Sequence, residues 1–204
     1  EKITGKTKAI LPVHIFGHPA EMNKINEIAK MHNLYVIEDA CEAIGAEYNG
    51  KKVGKFGDVS VFAFYPNKQI TTGEGGMILS SNENIANLCR SMRCHGMEIK
   101  GDFVVYERLG YNYHMDEMSA ILGLSQLSRI EEILEKRRKV AEMYKSKLGD
   151  LEGISLQYES PDIKKSWFVF TVRLQKESDK VMTYLKENGI QCREYFSAIH
   201  LEPF

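Results

Sequence analysis

Charge of one sign is missing from this chain. Among 204 residues, 27 lysines and arginines face 28 aspartates and glutamates, a formal net charge of -1. That balance leaves no basic footprint for nucleic acid and no cationic face for an anionic membrane. Long apolar runs are missing too. Nothing approaches the roughly 20 residues of a membrane span, and no charged-then-apolar leader opens the sequence. Cysteine is scarce: Cys41, Cys89, Cys94 and Cys192 are too few and too scattered for a disulfide scaffold. Cys89 and the pair Cys94-His95 lack a second close pair of ligands, so no metal site is expected. Reduced thiols in the cytoplasm are expected instead. What is left is a globular composition, 43% hydrophobic and 27% charged, sufficient for one large domain or one and a half smaller ones. The chain opens on Glu1 and closes on Phe204 directly after a proline, and both ends are expected to be cuts through a longer protein.

Short apolar runs alternate with helical patterns over the first two thirds. Ala9 to Val13 reads as a buried strand ending in a His-Ile-Phe-Gly turn. Glu21 to His32 carries Met22, Ile25, Ile28 and Ala29 at helical spacing, and Leu34 to Ile37 is a second buried strand ending in Glu38-Asp39. Strand, helix and strand with few polar residues in the strands predict a βαβ unit in a parallel sheet. Val59 to Phe64 is a third strand, and Met77 to Leu79 a fourth, reached through Gly73-Glu74-Gly75-Gly76. Asn82 is placed to cap a helix, Met97 to Arg108 lacks a period and reads as loop, and a long helix, bent where charge interrupts it, starts near Met115. Beyond Gly153 the pattern becomes α+β: a strand over Trp167 to Leu174, a helix over Ser178 to Asn188 stopped by Gly189, and a short strand over Ile190 to Arg193. The expected architecture is a large α/β domain over 1–132 with a mostly parallel sheet, and part of a smaller α+β domain over 133–204.

Chemistry in an open α/β sheet sits outside the carboxyl ends of the strands. Asp39 ends the second strand, Lys68 follows the third after Tyr65-Pro66-Asn67, and His14 follows the first. A desolvated lysine and a carboxylate in one cleft suit pyridoxal phosphate (PLP): the amine condenses with the cofactor aldehyde, and the carboxylate pairs with the pyridinium nitrogen. Each residue alone has a plainer role. Asp39 after a strand can cap or turn, Lys68 can be solvated, His14 can be a satisfied polar contact, and the glycines can merely turn the chain. Spacing by itself leaves an α/β enzyme of unspecified activity.

Longer stretches say more. Val36-Ile37-Glu38-Asp39-Ala40-Cys41-Glu42-Ala43-Ile44-Gly45-Ala46 and Phe62-Ala63-Phe64-Tyr65-Pro66-Asn67-Lys68-Gln69-Ile70-Thr71-Thr72-Gly73-Glu74-Gly75-Gly76 resemble the DegT-type nucleotide-sugar aminotransferases. So do Pro12-Val13-His14 with Gly17, Gly57-Asp58, Gly110 to Met115, and the tail Tyr195 to Phe204. The resemblance runs through the whole chain in order. It implies a fold-type-I PLP enzyme acting as a homodimer, with flanking segments that this sequence lacks. Lys68 falls on the lysine that binds the cofactor covalently, Asp39 on the partner of the pyridinium nitrogen, and Asn112 on an asparagine reaching the cofactor phosphate from the second subunit. Glu42 stands where many members carry a glutamine against the cofactor ring. Ala63 departs from the pattern, since many members place a phosphate-binding serine there.

The implied reaction moves an amino group, with glutamate the expected donor, onto a nucleotide-linked keto-sugar in surface-polysaccharide or amino-sugar biosynthesis. His14, Arg193 and His200 are the expected substrate contacts, Arg193 because a guanidinium clasps a diphosphate bidentately. Family members that act as sugar dehydrases carry histidine in place of the lysine, so Lys68 favours transamination. A cyclitol aminotransferase and a non-catalytic sugar-nucleotide-binding relative are the alternatives.

Overall fold

The computed structural model describes residues 1–196 and 199–203. Two compact units make up the chain: Glu1–Met143 with Tyr158–Phe170, and Tyr144–Gln157 with Thr171–Phe204.

The first unit is built on a four-stranded sheet. Strands β1 (Ala9–Ile10), β2 (Tyr35–Asp39), β5 (Val59–Ala63) and β6 (Gly76–Leu79) lie in that order. β1, β2 and β5 run parallel, and β6 returns antiparallel along β5. Helix α1 (Met22–Met31) makes the crossover from β1 to β2, buries Met22 and Ala29, and packs with Val36 and Tyr48 in one core cluster. A second cluster joins Ala40, Ala43, Ala46, Val53 and Phe62. Its small residues let the chain after β2 lie close against β5.

The first strand is shorter than expected. Pro12 has no N–H to give to a ladder, so β1 stops at Ile10, and Pro12 and His14 instead exchange backbone bonds with Asp39 at 2.9 and 3.0 Å. Val13 and Asp39 are paired there, in parallel. Between β2 and β5 a hairpin, β3 (Glu47–Tyr48) and β4 (Lys51–Lys52), turns on Asn49-Gly50 with both residues at positive φ, the two-residue turn that such a pair favours.

Asn82 caps α2 (Glu83–Arg93) by accepting from the N–H groups of Asn84 and Ile85. Met97 to Arg108 is not a loop. It forms a hairpin of β7 (Met97–Lys100) and β8 (Phe103–Tyr106) around Gly101-Asp102, with Gly101 at φ +61°. The long helix is two helices, α3 (Glu117–Leu127), capped by Asp116, and α4 (Ile130–Leu148). At the break the Ser128 hydroxyl turns back on the Ser125 carbonyl, and the Arg129 N–H bonds to Gln126, three residues back.

In the second unit β9 (Ile154–Leu156) pairs antiparallel with β11 (Val172–Leu174), and α5 (Ser178–Glu187) is followed by Gly189 at φ +76°. β10 (Ile163–Lys164) belongs to the first unit, against β3. The strand expected from Trp167 is confined to Val172–Leu174, because Trp167 sits at φ +51°, outside extended backbone. Ile190 to Arg193 has no ladder partner among the described residues and is not a strand. Of the tail, Ser197, Ala198 and Phe204 lie outside the described residues.

Candidate active site

The turn that carries Lys68 is set by its sequence. Tyr65-Pro66-Asn67-Lys68 closes with the Lys68 N–H donating to the Tyr65 carbonyl at 2.9 Å, and Pro66 supplies the fixed φ wanted at the second turn position. The loop is pinched at its base, where Phe64 donates to Gly75 and accepts from Thr72. Lys68 therefore leaves the carboxyl end of β5 on a short, braced turn, and β5 pairs in parallel with β2, whose last residue is Asp39.

Three of the sequence-predicted residues come together here. The Glu42 carboxylate lies 3.8 Å from the Lys68 ammonium, and both side chains are largely buried. Asp39 accepts the Cys41 N–H at 3.0 Å. Between them the Cys41 thiol is pushed up to about 12, by burial first, then by Asp39, with Glu42 adding to the rise and Lys68 opposing it. One thiol thus senses all three charged groups, the Lys68 amine and the carboxylates of Asp39 and Glu42.

Other residues, not singled out in the sequence, hold this cluster. Phe16 donates its N–H to Glu42 Oε2 at 2.8 Å and has a left-handed φ of +59°, a conformation rare for a bulky residue. Gln69 Nε2 donates to the Glu42 carbonyl at 2.6 Å and to Ser166 Oγ at 2.9 Å. Ser166 donates its N–H to Gly17 O. Gly17 has φ +81°, and a Cβ there would stand 2.7 Å from Ser166 Oγ, so only glycine permits the contact. The Phe168 ring lies with its centroid 4.5 Å from Lys68 Nζ, within cation–π range. Gln69 is adjacent to the lysine and was open to notice. Phe168 was read as a strand residue and Ser166 lay just before that strand, so the role of both was hidden.

The remaining candidates fall elsewhere. His14 is fully buried. Its Nδ1 accepts the Ala20 N–H at 3.0 Å, so the ring hydrogen is on Nε2 and is given to Glu38 Oε2 at 3.0 Å. Asn112 is exposed, its neighbours tied to the end of α2 by the bonds Tyr111 N–H to Met92 O and Tyr113 N–H to Arg93 O. Arg193 and His200 are exposed residues of the second unit, Arg193 over the Phe196 ring and His200 on a 3-10 turn.

A bound PLP can be tested against these residues. Its aldehyde requires an amine and its pyridinium a carboxylate, and both stand at strand ends. Gln69 Oε1 is buried with no hydrogen-bond partner among the described residues, a state native folds rarely leave uncompensated. The chemistry of this donor set fits the cofactor's amine and ring requirements. Ala63, at the end of β5, offers no hydroxyl for the phosphate.

The sequence pattern of the DegT/DnrJ/EryC1/StrS aminotransferase family matches residues 1–204. This chain belongs to that family. It is 37% identical over 205 residues to the GDP-perosamine synthase of Escherichia coli O157:H7, covering 100% of this chain and 56% of that protein. Among solved structures, S. venezuelae DesV superposes with a TM-score of 0.90 at 36% identity, over 98% of this chain and 54% of DesV. The E. coli GDP-4-keto-6-deoxy-D-mannose-3-dehydratase, solved with bound hydrated PLP, gives 0.84 at 32% identity, over 94% and 54%. The chain thus spans about half the length of these relatives. Its α/β architecture is that of fold-type-I PLP-dependent sugar aminotransferases. No helix among the described residues is long and apolar enough to cross a membrane.

Proposed function

We propose that the full-length protein carrying this sequence is a PLP-dependent aminotransferase that passes an amino group, from glutamate, to a nucleotide-linked keto-sugar. The observation that carries the reading is the largely buried Lys68 amine, 3.8 Å from the Glu42 carboxylate, following a strand that pairs in parallel with the one Asp39 ends. When bound, the cofactor supplies the electron sink that lets an amino group leave a donor and enter a carbonyl compound. Lys68 supplies the amine that holds the cofactor and the base that moves a proton once that amine is free. Asp39 is the carboxylate that would pair with the ring nitrogen. Glu42, braced by Phe16 and Gln69, holds the free ammonium of Lys68 in place at 3.8 Å. Asn112 is assigned to the phosphate of the second copy in a homodimer, where Ala63 provides nothing. Arg193 and His200 are assigned to the nucleotide sugar, while His14, fully buried with its ring nitrogens bonded to Ala20 and Glu38, is left a structural role. The four free cysteines suit a reducing compartment, the cytoplasm.

Because a dehydratase is among the neighbours, the test must separate the two outcomes. The full-length protein is incubated with PLP and reduced with borohydride, and the peptides are mapped. A pyridoxyl group on Lys68, absent in Lys68→Ala, is expected. With labelled glutamate and a panel of nucleotide-linked keto-sugars, the label should enter the sugar. Label released as ammonia with a deoxygenated sugar would replace the reading with dehydration, and no adduct on Lys68 would end it.

A further inference from the structure

Arg137 lies on α4, remote in sequence from the lysine, and is half-buried. Its Nη1 donates to the carbonyls of Trp167 and Phe168, each at 3.2 Å. Burial pushes the guanidinium below its ordinary value, and no carboxylate among the described residues acts to raise it. Its neighbours in the charge run differ: Lys136 pairs with Glu132, and Arg138 with Glu135. A desolvated cation that grips two backbone carbonyls orients a segment of chain. The segment is 166–168. Gly17 and Gln69 bind it at Ser166, Arg137 binds it at the two following residues, and Trp167 between them is left-handed. All of this has one consequence for chemistry, the buried Phe168 ring 4.5 Å from the Lys68 amine.

We propose that Arg137 is a positioning residue for the lysine: it holds the Phe168 ring against Lys68 and so shields the bond that Lys68 makes with a carbonyl compound. The inference rests on the proposed function, since it presumes that Lys68 binds an aldehyde. Shielding has a direct chemical readout. Hydroxylamine adds through nitrogen to the carbon bonded to Lys68 Nζ, that C–N bond breaks, and an oxime departs while Lys68 recovers its proton as the free amine. The rate measures access to the bond and is read from the cofactor's visible absorbance, without turnover.

The experiment uses the full-length protein loaded with PLP, well below its thermal midpoint. Phe168→Leu should speed discharge on the order of tenfold, the scale of one lost ring contact. Arg137→Met should do the same, and Arg137→Lys, which keeps charge and volume but cannot fork across two carbonyls, should fall between. The double variant should be no faster than Phe168→Leu alone, while Phe168→Tyr, which keeps the ring, should match the parent. Unchanged discharge in both Arg137 variants beside a fast Phe168→Leu would overturn the proposal, even if Arg137→Met lowers the thermal midpoint. Rates that multiply in the double variant, or an unchanged Phe168→Leu, would overturn it as well. Borohydride trapping on the parent protein separates the two claims. An adduct on Lys68 with unmoved discharge rates sinks the positioning role alone, and no adduct sinks the functional reading beneath it.

Discussion

Glu38 is fully buried and carries a charge. Burial would raise its carboxyl, but the His14 ring and the N–H groups of Gly54, Gly57 and Phe56 together outweigh that and hold it below the ordinary carboxylate value. Three of those bonds are 2.7 Å long. A carboxyl whose folded value is depressed adds stability above its unfolded value and loses it as pH falls through the folded one. Glu38→Gln puts an amide among donors and leaves at least one N–H unpaired, which should cost about 3 kcal/mol near neutral pH. Urea unfolding of the full-length protein should show that cost shrinking as pH drops below the usual carboxylate range. A cost that stays constant into acid would show that the charge is not what matters. The sequence made Asp39 and Lys68 legible because Asp39 ends one recognisable strand and Lys68 follows another across a short proline turn. It did not show that His14 turns inward, since the partner that draws it in, Glu38, differs from Asp39 only by the strand's period of two. Arg137 was hidden in a run of four cations. Its one trace is that Leu134, Arg137 and Ala141 share a helical face, and the other two are buried.

Helices and strands read well where period and cap agreed. α1, α2 and α5 fall within a residue or two of their expected ends, because apolar spacing and the flanking Asn82 and Gly189 mark them. The misses have local causes: Gly101-Asp102 makes a hairpin out of a stretch whose exposed strands carry no alternation, and Trp167 is extended only in composition. α3 is the element whose pattern and surroundings disagree. It is rich in apolar residues, yet none is buried, and Met118, Ile121 and Leu124 are exposed at 82, 66 and 67%. Phe103, Val104 and Tyr106 on the hairpin are exposed as well. A patch of this kind on a folded protein marks an interface. Ile121→Glu should therefore leave the 204-residue chain no less soluble, but cost the full-length protein about 2 kcal/mol or more by burying an unpaired charge. Paired denaturation curves check this. Equal midpoints for parent and variant at full length would mean that α3 stays in water.

At the scale of the whole molecule the question is which chain completes the site. Asp39, Glu42 and Lys68 are gathered within one unit, held by Phe16, Gln69, Ser166 and Phe168 of the same unit. Asn112 shares no hydrogen bond with them among the described residues. It is exposed, but it is not loose: Tyr111 and Tyr113 on either side are bonded to the last carbonyls of α2 and stacked on each other at 5.0 Å. A rigidly presented amide that faces solvent, flanked in sequence by the exposed hairpin and by α3, is suited to reach a second copy. In a two-fold dimer each copy would then lend Asn112 to the other's lysine. Lys68→Ala and Asn112→Ala homodimers would each have two defective sites. Unfolded together and refolded in equal amounts, they would form heterodimers in about half of the molecules, each with one intact and one doubly defective site, so about a quarter of all sites should work. The expected recovery is therefore about a quarter of parental amino transfer. Reductive trapping should give a matching share of pyridoxyl on the Lys68-containing chain. Each variant refolded alone is the control, and Lys68→Ala should stay inactive. Recovery no greater than the average of the two controls would place Asn112 in service of its own chain's site, or of none. That result would leave the lysine cluster intact and remove only the second subunit from the chemistry.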